Sequence, residues 1–287
     1  MRVLWFGIKI ALWFSNGTCP RQPQPSRRNF SSEHANCVFA YTAAMRFLVL
    51  DTADARGSVA LFKEGVCLCV EAHANEEDYS SWLLPAVKRV LTNMSVSLSE
   101  LDGYAVCAGP GSFTGLRIGL TTVKAWAEIY RKPIAAVSRL EAIASDVPGD
   151  EPGEACYVAA CIDARRDQVF AALYLRSAPG LSILGEESVV GFGAFAERVK
   201  ADSGGKHVVW RTPEPEALRT NPAWQELAGQ GHTVEEVKAP FSERLGRIAF
   251  AKFKAGSTTN SLELDANYVR RSDAEVFWKG NGSAVKT

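Results

Sequence analysis

Much that a catalytic, membrane or nucleic-acid-binding chain would need is scarce in this 287-residue sequence. Lysine plus arginine and aspartate plus glutamate number 32 each, so the formal net charge is zero and no global basic field draws the chain to nucleic acid. The apolar run at residues 3–8 is broken by Lys9 and gives out by Phe14, too short to span a bilayer and a poor match to a secretory leader. Histidine occurs four times, as His34, His73, His207 and His232, and no two stand one helical turn apart to share a metal ion. The seven cysteines, at 19, 37, 67, 69, 107, 156 and 161, lack the paired spacing of a zinc site or a compact disulfide framework. They read as buried free thiols suited to a reducing compartment. Cys67 and Cys69 alternate within a strand-like run and are expected to face the same side.

The standard nucleotide and hydrolase motifs are missing as well. The glycine-rich stretch Cys107-Ala108-Gly109-Pro110-Gly111-Ser112-Phe113-Thr114-Gly115-Leu116-Arg117-Ile118-Gly119 gives Gly-x-Gly-x-x-x-Gly, one residue too long for a dinucleotide fingerprint. No Gly-Lys-Ser/Thr follows, as a P-loop would require, and Pro110 and Thr114 stand where a nucleophile elbow needs glycine on either side of Ser112.

What is there is an unusual backbone. The apolar run Tyr104-Ala105-Val106-Cys107-Ala108 predicts a buried strand, and Leu116, Leu120, Val123 and Ala127 recur at helical spacing, so the order is strand, glycine loop, helix. Glycine allows positive φ and close approach, and Pro110 stiffens the turn. Ser112 or Thr114 can cap the helix, whose free N–H groups suit a phosphate or carboxylate. Gly115, Gly119 and Ala127 leave one side of that helix nearly bare, open to the close approach of another helix.

Elsewhere the pattern is that of a layered α/β protein. Residues 47–50, 58–62 and 67–70 predict a β-meander, and residues 79–94 an amphipathic helix with Pro85 in its first turn. Trp82 and Leu83 widen the apolar stripe of that helix beyond one sheet face and mark a candidate partner surface. A strand at 134–137 and the capping box Ser138-Arg139-Leu140-Glu141 complete a βαβα alternation, which argues for sheets flanked by helices. The polar stretch 147–154, with two Pro-Gly steps, predicts a lobe boundary. Beyond it an apolar strand again ends on aspartate, at Asp163, and is followed by a second strand at 169–175, echoing residues 47–62. Asp163, Arg165 and Arg166 are the functional candidates there, against a simple Asp–Arg brace. Residues 176–240 show no chemical motif, a helix is expected from 244 to 255, and residues 266–279 read as an exposed tail with Arg270, Arg271, Phe277, Trp278 and Lys279. Residues 1–44 carry five basic groups and one acidic, unlike the rest.

The stretch Ala-Gly-Pro-Gly-Ser-Phe-Thr-Gly-Leu-Arg-Ile-Gly at 108–119 resembles the signature of the TsaB (YeaZ) family, partner subunits in tRNA threonylcarbamoyladenosine biosynthesis. Met45-Arg46-Phe47-Leu48-Val49-Leu50-Asp51-Thr52-Ala53, Ala160-Cys161-Ile162-Asp163-Ala164-Arg165 and Tyr268-Val269-Arg270-Arg271 match the same family in order. The resemblance implies a two-lobed actin-like ATPase (ribonuclease H-like) fold of the glycoprotease-like branch, with mixed sheets flanked by helices. Its lobes would be 45–147 and 148–287, after an extension or misassigned start at 1–44.

The same resemblance implies a cytoplasmic, non-catalytic subunit. It would pair with a metal-bearing TsaD-like transferase and a TsaE-like ATPase, form a homodimer when alone through helices near 79–94 and 114–130, and meet tRNA only within the complex. Trp82, Leu83, Gly109, Pro110, Gly111, Ser112, Thr114, Gly115, Arg117 and Gly119 are then interface or loop-shaping residues. Asp51 and Thr52, at the usual place of a first phosphate loop, with Asp163 and Arg165 in the second lobe, are the nucleotide-binding candidates. The loop reads Asp51-Thr52-Ala53-Asp54, without the family fold's usual glycine at the third position. No cofactor of its own is expected, with ATP or ADP placed in the complex, and no metal site, because the His-x-x-x-His pair of the catalytic relatives is absent. The competing reading is a self-standing nucleotide-dependent phosphotransferase or a glycoprotease-like enzyme.

Overall fold

The computed structural model describes residues 44–74, 78–145, 155–177, 180–267 and 269. The extension at 1–43, the boundary stretch at 146–154 and the tail beyond 269 lie outside them. From Met45 the chain runs β1 (Arg46–Asp51), β2 (Ser58–Lys63), β3 (Val66–Ala72), α1 (Tyr79–Asn93), β4 (Gly103–Gly109), α2 (Phe113–Tyr130), β5 (Ile134–Ser138) and α3 (Arg139–Ser145). These strands form one sheet in the order β3-β2-β1-β4-β5, antiparallel on the β1–β2–β3 side and parallel on the β1–β4–β5 side.

The second half repeats the plan with β6 (Cys156–Asp163), β7 (Gln168–Ser177), β8 (Gly180–Gly191), α4 (Phe192–Asp202), β9 (Val208–Thr212), α5 (Pro215–Arg219), α6 (Pro222–Gly229), β10 (Val234–Glu236) and α7 (Ser242–Lys254). Its sheet order is β10-β9-β6-β7-β8, with β6 in the place of β1. Two sheets of identical plan, each with a central strand ending on aspartate, make the two-lobed actin-like architecture that the echo between residues 47–62 and 156–175 implied.

Burial explains why the central strands read as unbroken apolar runs. Residues 47–50 and 104–107 have helices on both faces and are essentially sealed from solvent. In β6 the alternation of a strand divides two cores: Val158, Ala160 and Ile162 join the large core around the first sheet, while Ala159 and Cys161 join a smaller one with Phe192, Phe195, Trp210 and Trp224. Helix α7 does not stay with the second sheet. Its Phe253 packs on Phe47 at 5.1 Å between ring centroids, and Gly246 lets the Phe62 ring lie against the helix backbone. Thr259 then pairs with Ile134 on the β5 edge. The first lobe therefore draws on the last part of the 148–287 segment, because the far face of its sheet would otherwise be bare.

Two local expectations are corrected. Pro85 lies in the second turn of α1, not the first, with its side chain exposed to solvent. A bulge in β3 places Cys67 opposite Phe62 and Cys69 opposite Leu61, so the two thiols face opposite sides of the sheet.

Candidate functional site

The glycine stretch forms a seat between β4 and β1. Strand β4 ends at Gly109, whose φ of +112° is open to glycine and strained for other residues. Ser112 is the N-cap of α2, its Oγ accepting the Gly115 N–H at 3.3 Å, while its own N–H donates to the Ala53 carbonyl at 2.6 Å. Gly111, Gly115 and Gly119 recur every fourth residue and share one face. A Cβ at Gly111 would come within 2.9 Å of the Ala53 Cβ, one at Gly115 would overlap the Thr52 carbonyl oxygen, and one at Gly119 would lie 2.5 Å from Thr52 Oγ1. The Thr52 hydroxyl donates to the Gly115 carbonyl at 2.7 Å, which fixes the seat.

The bare side of α2 is thus filled by the turn after β1 of the same chain, not by a neighbouring helix. Trp82 and Leu83 are corrected in the same way. They are 4% and 2% exposed and belong to the core. Trp82 is held edge-on by His73 and Tyr79 at 4.8 and 5.8 Å between centroids, which accounts for the widened stripe.

The outer face of the α1–α2 layer is different. Leu84 is 58% exposed, Phe113 39% and Ile129 69%. Arg117 lies over the Phe113 ring at 3.8 Å, and Ser112 and Thr114 are exposed beside it. Lone exposed apolar residues are ordinary; here Leu84 on α1 and Phe113 in the first turn of α2 are two on neighbouring helices, while Ile129 lies sixteen residues further along α2, at its far end. The sequence marked Thr114 and Arg117 but passed over Leu84 and Phe113, whose signal was a large apolar residue just outside a completed core stripe.

Between the lobes the structure gathers a charged network that sequence reading largely missed. Asp51 is fully buried at the end of β1, its Oδ1 accepting the Ala53 N–H at 3.0 Å. Burial pushes the Asp51 carboxyl above its ordinary value, against the pull of Arg139 and with a push from Asp54. Burial also penalises the Asp54 carboxylate, but Arg139 and then Arg56 outweigh it and hold its carboxyl below the usual range. Asp54 accepts from Arg56 Nη2 at 2.7 Å and from the completely buried Arg139.

Arg56 continues across the cleft, donating to the Pro213 carbonyl at 3.2 Å and to Glu214 Oε1 at 2.9 Å. Glu214 Oε2 accepts the Asp163 N–H at 3.1 Å. Asp163 Oδ1 in turn accepts the backbone N–H of Arg165 at 2.8 Å, which closes a backbone turn. That turn holds Arg165, Arg166 and Asp167 at φ of 64°, 56° and 56° and borders a cavity of about 350 Å³ with Thr212, Glu214 and Asn221.

The turn after β1 leaves little room for the phosphate that an ATPase-like fold would place there. Asp51 and Thr52 are 0% and 1% exposed, and Gly111 and Gly115 press on the Ala53 and Thr52 carbonyls where a phosphate would have to approach. Asp163 and Arg165 stand on the turn after β6, where the Asp163 N–H is linked to Arg56 of the first lobe through Glu214. Among the described residues no group of three or more His, Cys, Asp or Glu side chains is placed to hold a metal ion. No helix among them is long and apolar enough to cross a membrane.

Known proteins give this geometry a context. Residues 73–224 match the family model for TsaD, tRNA N6-adenosine threonylcarbamoyltransferase. The chain is 32% identical over 244 residues to the tRNA threonylcarbamoyladenosine biosynthesis protein TsaB of Escherichia coli, a match covering 82% of this chain and 97% of that protein. It is 26% identical to the protein of the same description from Haemophilus influenzae, over 82% and 96% of the two chains. Among solved structures, YeaZ from Pseudomonas aeruginosa aligns with a TM-score of 0.58 at 26% identity, covering 78% of this chain and 99% of that one. A second Pseudomonas aeruginosa structure, described as similar to peptidase YeaZ, aligns with a TM-score of 0.64 at 27% identity, covering 79% and 100%.

Proposed function

This chain belongs to the family of the tRNA threonylcarbamoyladenosine biosynthesis protein TsaB, and from that membership we propose that it is a non-catalytic subunit for threonylcarbamoylation of adenosine 37 in ANN-decoding tRNAs. On this reading it works in the cytoplasm. A TsaD-like transferase subunit performs the transfer, a TsaE-like ATPase joins the assembly, and the chain pairs with a second copy of itself when alone. ATP or ADP and the tRNA belong to the complex rather than to this subunit.

One observation supports the reading most directly. The turn after β1 is closed within the chain, Thr52 bonded beneath α2 and Asp51 sealed from solvent with its Oδ1 on the Ala53 N–H, and Asp163 Oδ1 caps its own turn, while Leu84 on α1 and Phe113 and Ile129 on α2 stay toward solvent. A self-standing phosphotransferase would need the turn after β1 to admit a phosphate, and a metallopeptidase would need ligands that this sequence lacks. The partner would bury the α1–α2 layer, with Phe113 and its stacked Arg117 as the anchoring pair.

Reconstitution tests the proposal. The full chain is added to, or withheld from, a TsaD-like transferase with the remaining components, and threonylcarbamoyladenosine is measured in tRNA. Dependence of the product on this chain is expected. Equal modification without it, or turnover by the isolated chain, overturns the proposal.

A further inference from the structure

We propose that Arg56 and Glu214 form a clasp that holds the two lobes together without a bound nucleotide. An anionic ligand bridging the turns after β1 and β6 would need one donor from each. The Glu214 carboxylate already has both: Oε1 takes Arg56 Nη2 at 2.9 Å, and Oε2 takes the Asp163 N–H at 3.1 Å. A side chain from the end of β9 thus stands in the position of a bridging anion.

Both ends of the clasp are fixed. Arg56 is gripped through Nε and Nη2 by Asp54, which is itself held by the buried Arg139, and its Nη1 reaches the Pro213 carbonyl. The Glu214 N–H donates to Thr212 Oγ1 at 3.1 Å, which sets the backbone from which the carboxylate projects. An ordinary surface ion pair contributes little because two long side chains must be ordered to make it. Here Arg56 and Glu214 are 34% and 35% exposed, and most of that ordering is done by neighbours with buried anchors, so the pair couples two turns that are 158 residues apart in sequence.

Amide hydrogen exchange on the full-length protein tests the clasp, comparing wild type with Arg56→Ala, Glu214→Ala and the double variant. Each single substitution is expected to speed exchange about five- to tenfold at the turn it does not belong to: 211–216 for Arg56→Ala, and 52–58 together with the Asp163 amide for Glu214→Ala. The double variant should exchange no faster than either single one, and ATP or pyrophosphate should leave wild-type exchange at these turns unchanged. Unchanged exchange at 211–216 in Arg56→Ala, or a double variant whose effect is the product of the two singles, overturns the clasp. So does protection of the wild-type turns by ATP. Should Arg56→Ala not fold, wild type in rising sodium chloride replaces it. Exchange at 211–216 that climbs with salt while the α4 and β7 amides stay constant supports the proposal, and no salt dependence overturns it.

Discussion

Replacing Gly119 with alanine should reverse its effect on stability according to what stands at position 52. On a solvated helix the change gains about 1 kcal/mol from propensity alone. In this protein the new methyl would lie 2.5 Å from Thr52 Oγ1, far inside contact distance, with the Thr52 Cβ at a comfortable 3.6 Å. Overpacking of this kind costs about 1–3 kcal/mol. The rotamer of Thr52 is not free to yield, because its hydroxyl is bonded to the Gly115 carbonyl. Gly119→Ala should therefore destabilise by up to about 2 kcal/mol in the wild-type background.

Thr52→Ala removes the obstructing oxygen, and by itself should cost about 1 kcal/mol for the lost buried hydrogen bond. In that background Gly119→Ala should become neutral or stabilising, giving a coupling of at least about 1 kcal/mol between the two sites. Gly115→Ala supplies the contrast. Its methyl would strike the Thr52 backbone carbonyl, which Thr52→Ala leaves in place, so no rescue is expected. Urea unfolding of the wild type, the three single variants and the two double variants with Thr52→Ala measures all of this. Additive effects of Gly119→Ala and Thr52→Ala, or rescue of Gly115→Ala, would refute the seat.

Other outcomes follow from the core and the cleft. Asp54→Asn leaves the sealed Arg139 with Asp51 as its remaining carboxylate and should destabilise by about 2–3 kcal/mol at pH 7, at the low end for a broken buried pair since Asp54 keeps some solvent contact. The sign with pH is fixed by the shift. The Asp54 carboxyl titrates below its ordinary value of 3.8, so its contribution is complete above that value and is lost as pH falls through the lower folded value, closing the gap between wild type and variant. A gap that persists unchanged into strong acid would mean that charge is not its cause. Asp51 acts in the opposite sense: its carboxyl is raised above 3.8, so its burial is a burden at neutral pH that protonation relieves as pH falls through the raised value. Phe253→Ala should cost about 3–5 kcal/mol in urea unfolding, because its ring is 4% exposed and packs on Phe47 in the first-lobe core. A loss under 1 kcal/mol would mean that α7 is not integral to that lobe.

The parts of the fold that were legible in sequence are those that local pattern specifies. Unbroken apolar runs at 47–50, 104–108 and 156–162 marked central strands because both faces of each are covered, and the aspartate at the end of β1 and of β6 exposed the repeat. Ser112 was readable as a cap because its role is settled within one helical turn. The glycines at 111, 115 and 119 announced a close approach, yet nothing local says which group approaches, and Thr52 lies 63 residues before Gly115. The same limit hid the cleft network: Asp54 and Arg139 are separated by 85 positions, and only the sheet topology brings them together. Trp82 and Leu83 misled because a stripe wider than one sheet face can be covered by the chain's own His73 and Tyr79 as well as by a partner.

Affinity for the transferase subunit tests the central claim most directly. Leu84→Asp and Phe113→Asp change exposed positions at the α1–α2 face, where each should shift stability by only about 0.5–1 kcal/mol, Phe113→Asp also giving up the Arg117 stacking. Calorimetric titration of a TsaD-like subunit with the wild type and with the double variant should show Kd weakened at least about a hundredfold, on the scale of two lost anchors. Equal affinity of the two proteins would contradict the assignment of that face, and no binding by the wild type would contradict the role itself.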